Sequence, residues 1–135
     1  MRPNRSMPRC TVIPQLAYPD VVEAAAWLCE VFGFSVRIRM GDHRAQLNVG
    51  DGAIVLTKRE GDAAGSSVMV RVKDIDRHYH RAVERGCKGT EPPKDFPYGE
   101  RQYNVVDFAG HRWAFSESIA DVAPEEWGGE AIELH

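Results

Sequence analysis

The sequence is poor in cysteine and has no long apolar run, and both absences narrow what the protein can be. Its three cysteines are odd in number and widely spaced, which argues against a disulfide framework and a CxxC zinc site. Such cysteine usage favours a reducing cytoplasm. Because no segment approaches the roughly 18 apolar residues of a membrane-spanning helix, we expect no membrane association. The basic residues 1–9 lead into no apolar stretch, so we expect no signal peptide.

The chain also has no excess of positive charge. Lys and Arg number 17 against 20 Asp and Glu, which gives a net charge of −3. Nucleic-acid-binding domains are usually basic, so we expect no nucleic-acid partner. The sequence contains neither a GxSxG nucleophile motif nor a glycine-rich phosphate loop. With 43% hydrophobic residues in a chain of 135, the composition is that of one ordinary globular domain.

The first half of the chain follows the order β-α-β-β-β. Asp20 is a typical helix cap, and Gly33 is placed to end the helix that follows it. Apolar and polar residues then alternate strictly through residues 34–40, which predicts a half-buried strand without irregularity. The predicted strands of this half cover residues 10–18, 34–40, 44–49 and 53–58.

The second half repeats the same order, with Asp74 as the helix cap and Gly86 at the helix end. Its predicted strands cover residues 67–72, a short piece of 88–97, 101–106 and 111–116. The repetition indicates an internal duplication. We therefore expect one domain over residues 10–118, built from modules at about 10–60 and 66–118. A flexible arm (1–9) precedes it, and a tail (119–135) without predicted structure follows it.

Two segments carry a resemblance to a known family. The stretch DVVEAAAWLCEVFGF in the first half and the stretch YGERQYNVVDFAGHRWAF in the second are similar to signatures of the vicinal oxygen chelate superfamily. This superfamily includes glyoxalase I, extradiol dioxygenases and bleomycin-resistance proteins, and the chain most resembles the metal-free bleomycin-resistance branch. The resemblance implies an α+β fold of two paired βαβββ modules that form a curved mixed sheet around a groove. It also implies a homodimer.

The resemblance further implies four metal-ligand positions, one on each of four strands. They fall on Ile13, Leu56, Ser67 and Ala114, of which three have no donor atom and serine alone is a poor divalent ligand. Two histidines on the second helix, at positions 78 and 80, do not share a face and are interpreted as solvated. We therefore expect no bound metal, no other cofactor and no catalytic residue.

The former ligand positions also define which side chains line the groove, because side chains alternate between the two faces of a strand. The lining predicted in this way has an apolar floor and an arginine-rich wall without Asp or Glu. Guanidinium groups favour anionic and aromatic partners, so the ligand is predicted to be aromatic and neutral or anionic rather than cationic. The predicted groove residues are Ile13, Gln15, Arg37, Arg39, Arg44, Gln46, Asn48, Ile54, Leu56, Ser67, Met69, Arg71, Arg101, Tyr103, Arg112, Ala114 and Ser116.

Three functions remain open from the sequence. The first is sequestration of an aromatic or antibiotic-like small molecule without chemical change. The second is an enzyme of the same superfamily, a lyase, isomerase or dioxygenase, with a non-standard or absent metal site. The third is a structural or regulatory domain that has no ligand. A fold alone does not decide among them.

Overall fold

Two βαβββ modules follow one another along the chain in a computed structural model that describes residues 4–59 and 66–130. The first module consists of β1 (Gln15–Tyr18), α1 (Val21–Phe32), β2 (Ser35–Met40), β3 (Arg44–Val49) and β4 (Gly52–Lys58). The second consists of β5 (Ser67–Arg71), α2 (Ile75–Glu84), β6 (Lys94–Phe96), β7 (Glu100–Val106) and β8 (Arg112–Ser118). A 3-10 turn, Pro124–Trp127, lies in the tail.

The strands form two four-stranded sheets, in the orders β1-β4-β3-β2 and β5-β8-β7-β6. In each sheet the first strand of the module pairs in parallel with the last, and the other pairs are antiparallel. The repeated topology confirms the α+β fold of two βαβββ modules predicted from the sequence.

Helix ends are where the local sequence predicts them. The Asp20 carboxylate accepts a hydrogen bond from the Glu23 amide at 3.0 Å, and Asp74 accepts one from the Arg77 amide at 3.2 Å. Gly33 follows α1 in the left-handed conformation, and its amide donates to the Cys29 carbonyl. Each contact lies within one helical turn, which is why residue type alone could predict it. Neither described helix is long and apolar enough to cross a membrane.

Most predicted strands differ from the structure by only one or two residues at an end, but two differ by more. The first strand begins only at Gln15, because Pro14 has no amide hydrogen to donate to a strand ladder. In β2 the register shifts between Val36 and Ile38, which is a β-bulge at Arg37. A bulge adds one residue to a strand and so reverses the alternation beyond it. The strict alternation predicted for residues 34–40 is therefore wrong.

The core lies between the helices and the sheets, and aromatic rings join its two halves. Phe32, at the end of α1, lies 4.8 Å from the Phe115 ring and 5.5 Å from the Trp113 ring of β8. The two β8 rings are completely buried, and Phe32 is nearly so. One helix of the first module thus packs into the core of the second, which fixes the relative position of the modules.

A buried polar network also joins the modules, centred on Asp107. One carboxylate oxygen accepts from the Tyr18 hydroxyl at 2.7 Å and from the Trp113 indole at 3.0 Å. The other accepts from the backbone amides of Ala109 and His111, each at 3.0 Å. Burial, followed by the nearby Asp107 charge, raises the pKa of Tyr18 far above its usual value, so its hydroxyl remains a donor.

Candidate functional site at the module junction

Each sheet has one face against its helix and one opposite face, which we call the open face. Residues that are paired across neighbouring strands point to the same face of the sheet. Pairing with core residues therefore assigns each paired strand position to one of the two faces, and the unpaired Arg37 is placed by its hydrogen bond to Gln46. Of the predicted groove residues, those that lie on open faces are Gln15, Arg37, Arg44, Gln46, Asn48, Ser67, Met69, Arg71, Arg112, Ala114 and Ser116. Ile13 precedes β1.

Ile54 and Leu56 belong to the core, not to the groove face predicted for them. Leu56 is paired with the buried Leu16, and both Ile54 and Leu56 are almost fully buried in the core cluster. The prediction counted the same number of residues from a turn glycine in each module. Gly52 is already part of β4, whereas β8 begins only after its turn glycine, at Arg112, so equal counts arrive at opposite faces.

Arg39, Arg101 and Tyr103 also lie on the helix side of their strands. Beyond the β2 bulge, Arg39 is paired with the buried Ala45. Tyr103 is paired with Phe115 and is buried, and Arg101 lies on the same side, where its guanidinium donates to Asp76 of α2 at 2.9 Å. The open face of β7 therefore carries Glu100, Gln102 and Asn104 instead.

A chain of hydrogen bonds crosses the open face of the second module. Arg71 donates to the Ser118 hydroxyl at 2.6 Å, and the hydroxyls of Ser118 and Ser116 donate to the two carboxylate oxygens of Glu100. The amide group of Gln102 donates to Ser116 at 3.0 Å. The two serine hydroxyls, Ser118 first, lower the pKa of Glu100, which keeps this carboxylate ionised.

Sequence reasoning missed Glu100 as a member of this face. The residue precedes the strand predicted at 101–106, and its face follows only from the pairing of Glu100 with Ser118. The expectation of a groove without Asp or Glu is therefore wrong for the second module.

An aromatic group adjoins the same hydrogen-bond chain. The Tyr98 hydroxyl donates to the Gln102 side chain at 3.0 Å, and the Tyr98 ring stacks on Phe96 with centroids 5.5 Å apart. Trp127, from the tail, contacts Tyr98 edge-on at 5.6 Å. The tail, for which the sequence predicted no structure, thus brings an aromatic side chain to this sheet.

In the first module the arm covers part of the open face. The Arg37 guanidinium donates to the Gln46 side chain at 2.5 Å and to the carbonyls of Arg5 and Met7, each at 3.0 Å. Gln46 donates to the Ser6 carbonyl at 2.9 Å and is only 2% exposed. These two predicted groove residues are thus bound to the chain's own N-terminal segment.

Two of the cavities where the modules meet include Arg71. The larger has a volume of 830 Å³ and lies between the end of α1, the β3–β4 hairpin and the end of β5. Its lining includes Phe32, Phe34, Val49, Val70 and Val72, with Arg71 and Ser118 among the polar members. A smaller cavity of 270 Å³ follows the seam between the sheets and also includes Arg71. Arg71 is thus a residue that both cavities share.

His78, predicted to be solvated, is partly buried and lines the larger cavity. Its Nε2 donates to the Phe32 carbonyl at 3.2 Å, and its Nδ1 accepts from the Tyr103 hydroxyl at 2.5 Å. Burial lowers the pKa of His78, so the ring is neutral at pH 7. Its two hydrogen bonds connect α2 to α1 and to β7, which no helical periodicity indicates.

A family model described as the Glyoxalase/Bleomycin resistance protein/Dioxygenase superfamily matches residues 9–115. The chain belongs to this superfamily. It is 32% identical to TioX from Micromonospora sp. ML1, over 81% of this chain and 98% of that one, with a TM-score of 0.73. No curated protein matches the chain.

Two further superfamily structures share the fold at lower identity. A bleomycin resistance determinant encoded on transposon Tn5 is 20% identical over 82% of this chain and 99% of its own, with a TM-score of 0.70. A bleomycin-binding protein in complex with bleomycin is 19% identical over 80% of this chain and 98% of its own, with a TM-score of 0.67. At these identities, the similarity of the two structures to this chain shows a shared fold and nothing more.

The superfamily name includes dioxygenases, but the positions at which the resemblance implies metal ligands carry poor donors in this chain. At the four expected positions, Leu56 lies in the core, Ile13 and Ala114 have no donor atom, and Ser67 is exposed. Within residues 4–59 and 66–130, no three His, Cys, Asp or Glu side chains lie close enough together to hold a metal ion. The donor set of the described superfamily domain does not fit a divalent metal.

Proposed function

We propose that this protein binds a small organic molecule at the module junction and does not chemically change it. The observation that carries the proposal is the 830 Å³ cavity, whose size and largely apolar lining are those of small-molecule sites in proteins. Bleomycin bound to one structural neighbour supports small-molecule binding in this fold. Binding rather than catalysis is proposed because the expected metal positions have no suitable donors, and we expect elemental analysis to find no stoichiometric metal.

The ligand is proposed to be aromatic and neutral or anionic. Arg71 is held in place by Ser118, which in turn is held by Glu100, and the remaining Arg71 donors are available to a ligand. On the open faces of the described strands, Glu100 is the acidic side chain, and the arginines at 44, 71 and 112 are basic. Both Glu100 oxygens already accept hydrogen bonds. The cavity itself carries Arg71 and Lys73 against Asp51 and Glu117, so the preference for an electron-rich partner rests on the free donors of Arg71.

We also propose that two copies of the chain associate through their open faces. Met69 and Val106 on the second open face are 66% and 60% exposed, and Val12 beside the seam is 76% exposed. Large apolar side chains that are exposed together mark association surfaces. A second copy would cover them and enclose the junction cavities. The reducing cytoplasm remains a prediction from cysteine usage alone.

A calorimetric titration with two naphthalene probes tests the binding site. We expect neutral 2-naphthol to bind the wild type more tightly than cationic 2-naphthylmethylammonium. The Arg71→Ala variant should weaken 2-naphthol binding about fivefold, because one charge-assisted hydrogen bond is lost. Arg112→Ala is the matched control, since Arg112 lies on the same open face but outside the 830 Å³ cavity.

Three results would contradict the proposal. They are that neither probe binds, that the cation binds more tightly than 2-naphthol, or that the two arginine substitutions weaken 2-naphthol binding equally. Native mass spectrometry of the freshly purified protein complements the titration. We expect it to detect a co-purifying small molecule that Arg71→Ala retains less well than Arg112→Ala.

A further inference from the structure

A third cavity at the module junction continues the 830 Å³ cavity towards α2. It has a volume of 540 Å³ and shares with the larger cavity the residues Phe32, Gly33, Val72, Lys73 and His78. Because five lining residues are common to both, the two cavities are parts of one cleft. The larger part is mainly apolar, and the smaller part runs along the length of α2, from Asp74 to Arg85.

Positive charge dominates the smaller part, although the whole chain is acidic at −3. Its charged members other than histidine are four cations, Lys73, Arg77, Arg81 and Arg85, against Asp74 and Glu84. The local charge is thus opposite in sign to that of the whole chain. Lys73, Arg77 and Arg81 are spaced by four residues, and the latter two therefore share a face of α2.

The partners of these cations show which of them are available. Arg85 forms an ion pair with the Glu30 carboxylate at 2.5 Å. The Arg81 guanidinium donates a hydrogen bond to the Glu30 carbonyl, near the end of α1, at 3.4 Å. The side chains of Lys73 and Arg77, both exposed, make no hydrogen bond or ion pair with the rest of residues 4–59 and 66–130. Two free cations therefore remain at the mouth of the cleft.

Three amide groups at the start of α2, those of Ile75, Arg77 and His78, already donate hydrogen bonds. The Ile75 amide donates to Glu117 at 3.1 Å, and the Arg77 amide donates to Asp74. An anion in the cleft would therefore be held by the two side chains and not by the helix N-terminus. Flexible lysine and arginine side chains suit an oxyanion such as phosphate or carboxylate.

We propose that the ligand is amphipathic, with an aromatic body in the 830 Å³ cavity and an oxyanion bound between Lys73 and Arg77. The inference rests on the proposed function and extends it: it selects the anionic class of ligand and places its charged group. The oxyanion site lies on the α2 side of the junction, away from the predicted groove arginines at 44 and 112.

The test compares 2-naphthyl phosphate with neutral 2-naphthol by calorimetry at low salt. We expect the phosphate to bind the wild type about tenfold more tightly, since two partly exposed ion pairs contribute about threefold each. The advantage should diminish in high salt, which screens exposed charges. In the double variant Lys73→Gln, Arg77→Gln, the phosphate should bind no more tightly than 2-naphthol.

Arg44→Gln is the matched control, because it removes one cation from the open face of the first module and should keep the phosphate advantage. Binding of 2-naphthol without a preference for the phosphate would overturn this inference and leave the proposed function intact. A double variant that keeps the full preference would overturn it too. Binding of neither compound would overturn the proposed function and this inference with it.

Discussion

Asp107 shows how a residue of a recognisable motif acts in the structure. The segment from Asp107 to His111 is part of the stretch that resembles the superfamily, yet its side chains do not line the junction cavities. The carboxylate satisfies four donors, and His111 accepts from the Ser66 amide at 2.9 Å and donates to the Ala17 carbonyl at 2.6 Å. The motif therefore stabilises the contact between modules.

Replacement of this carboxylate by an amide should destabilise the fold. In Asp107→Asn one acceptor oxygen becomes a donor that faces the Tyr18 hydroxyl and the Trp113 indole. We expect the free energy of unfolding in urea to fall by about 2 kcal/mol, the cost of an unsatisfied buried polar group. Asp42→Asn, in an exposed turn, is the control and should change it by less than about 0.5 kcal/mol. Equal effects of the two substitutions would contradict the role assigned to Asp107.

His78 should make stability depend on pH. Burial, its largest influence, lowers the pKa of His78 below the ordinary value of 6.5, although the hydrogen bond to Phe32 acts in the opposite direction. As the pH falls below 6.5, the unfolded chain therefore takes up a proton that the folded chain does not. The free energy of unfolding should then decrease between pH 7.5 and pH 5.

Urea unfolding of His78→Gln at the two pH values measures this contribution. We expect the variant to lose less stability on acidification than the wild type does, because its side chain does not titrate. His43→Gln, at an exposed turn, is the control because it removes a histidine outside this hydrogen-bond network. A variant at position 78 with an unchanged pH dependence would show that His78 is protonated as easily in the folded state as in the unfolded one.

At the scale of elements, the tail is the segment whose structure depends most on a distant contact. The amide of Ile119 donates to the Gly99 carbonyl at 2.8 Å, and the Ala120 carbonyl oxygen passes close to the Gly99 α-carbon. A Cβ at position 99 would lie 2.4 Å from that oxygen. Gly99 therefore allows the tail to follow the β6–β7 turn and bring Trp127 to Tyr98.

Gly99→Ala should detach the tail, and Gly110→Ala separates this effect from backbone strain. Both glycines have positive φ, 82° and 89°, but a Cβ at position 110 would meet no atom within 4 Å. We expect a stability loss of about 1–2 kcal/mol for Gly110→Ala and a larger loss for Gly99→Ala. Limited proteolysis should cleave the tail faster only in Gly99→Ala. Equal cleavage in both variants would refute the anchoring role.

At the scale of the whole molecule, the two modules place their helices on one side and leave sheet surface exposed on the other. Large apolar side chains exposed to water are energetically unfavourable, and association of two copies would bury them. The proposed dimer therefore follows from the surface and not from the core. Its interface would include Met69 of β5 and Val106 of β7, which lie on either side of β8. Met69 is paired with Ala114 and Val106 with Arg112, so the two side chains are offset by two residues along the strands.

Sedimentation equilibrium at micromolar concentration tests the dimer. We expect the wild type to sediment at twice the chain mass of 15.1 kDa, and the double variant Met69→Lys, Val106→Lys to sediment as a single chain, because buried like charges oppose association. Val83→Lys is the control, since Val83 is 41% exposed on α2 and should leave the mass unchanged. A wild type that sediments as a single chain would refute the dimer.

The sequence by itself determined the features that depend on neighbours within a few residues. The caps at Asp20 and Asp74, the helix end at Gly33 and the repeated βαβββ order follow from residue type and periodicity. The poor donor set at the expected metal positions also needs nothing beyond residue identity. These properties are local, so chain chemistry alone fixes them.

Only the tertiary structure decided to which face of its sheet each strand residue points, and which residues distant in the sequence come into contact. The bulge at Arg37 moved Arg39 to the helix side, and pairing of β7 with β8 brought Glu100 to Ser118 and Arg71. The cleft beside Lys73 exists because an end of one module's helix packs against the other module. Strand register and module packing depend on side chains far apart in the chain, and no local pattern of residues determines them.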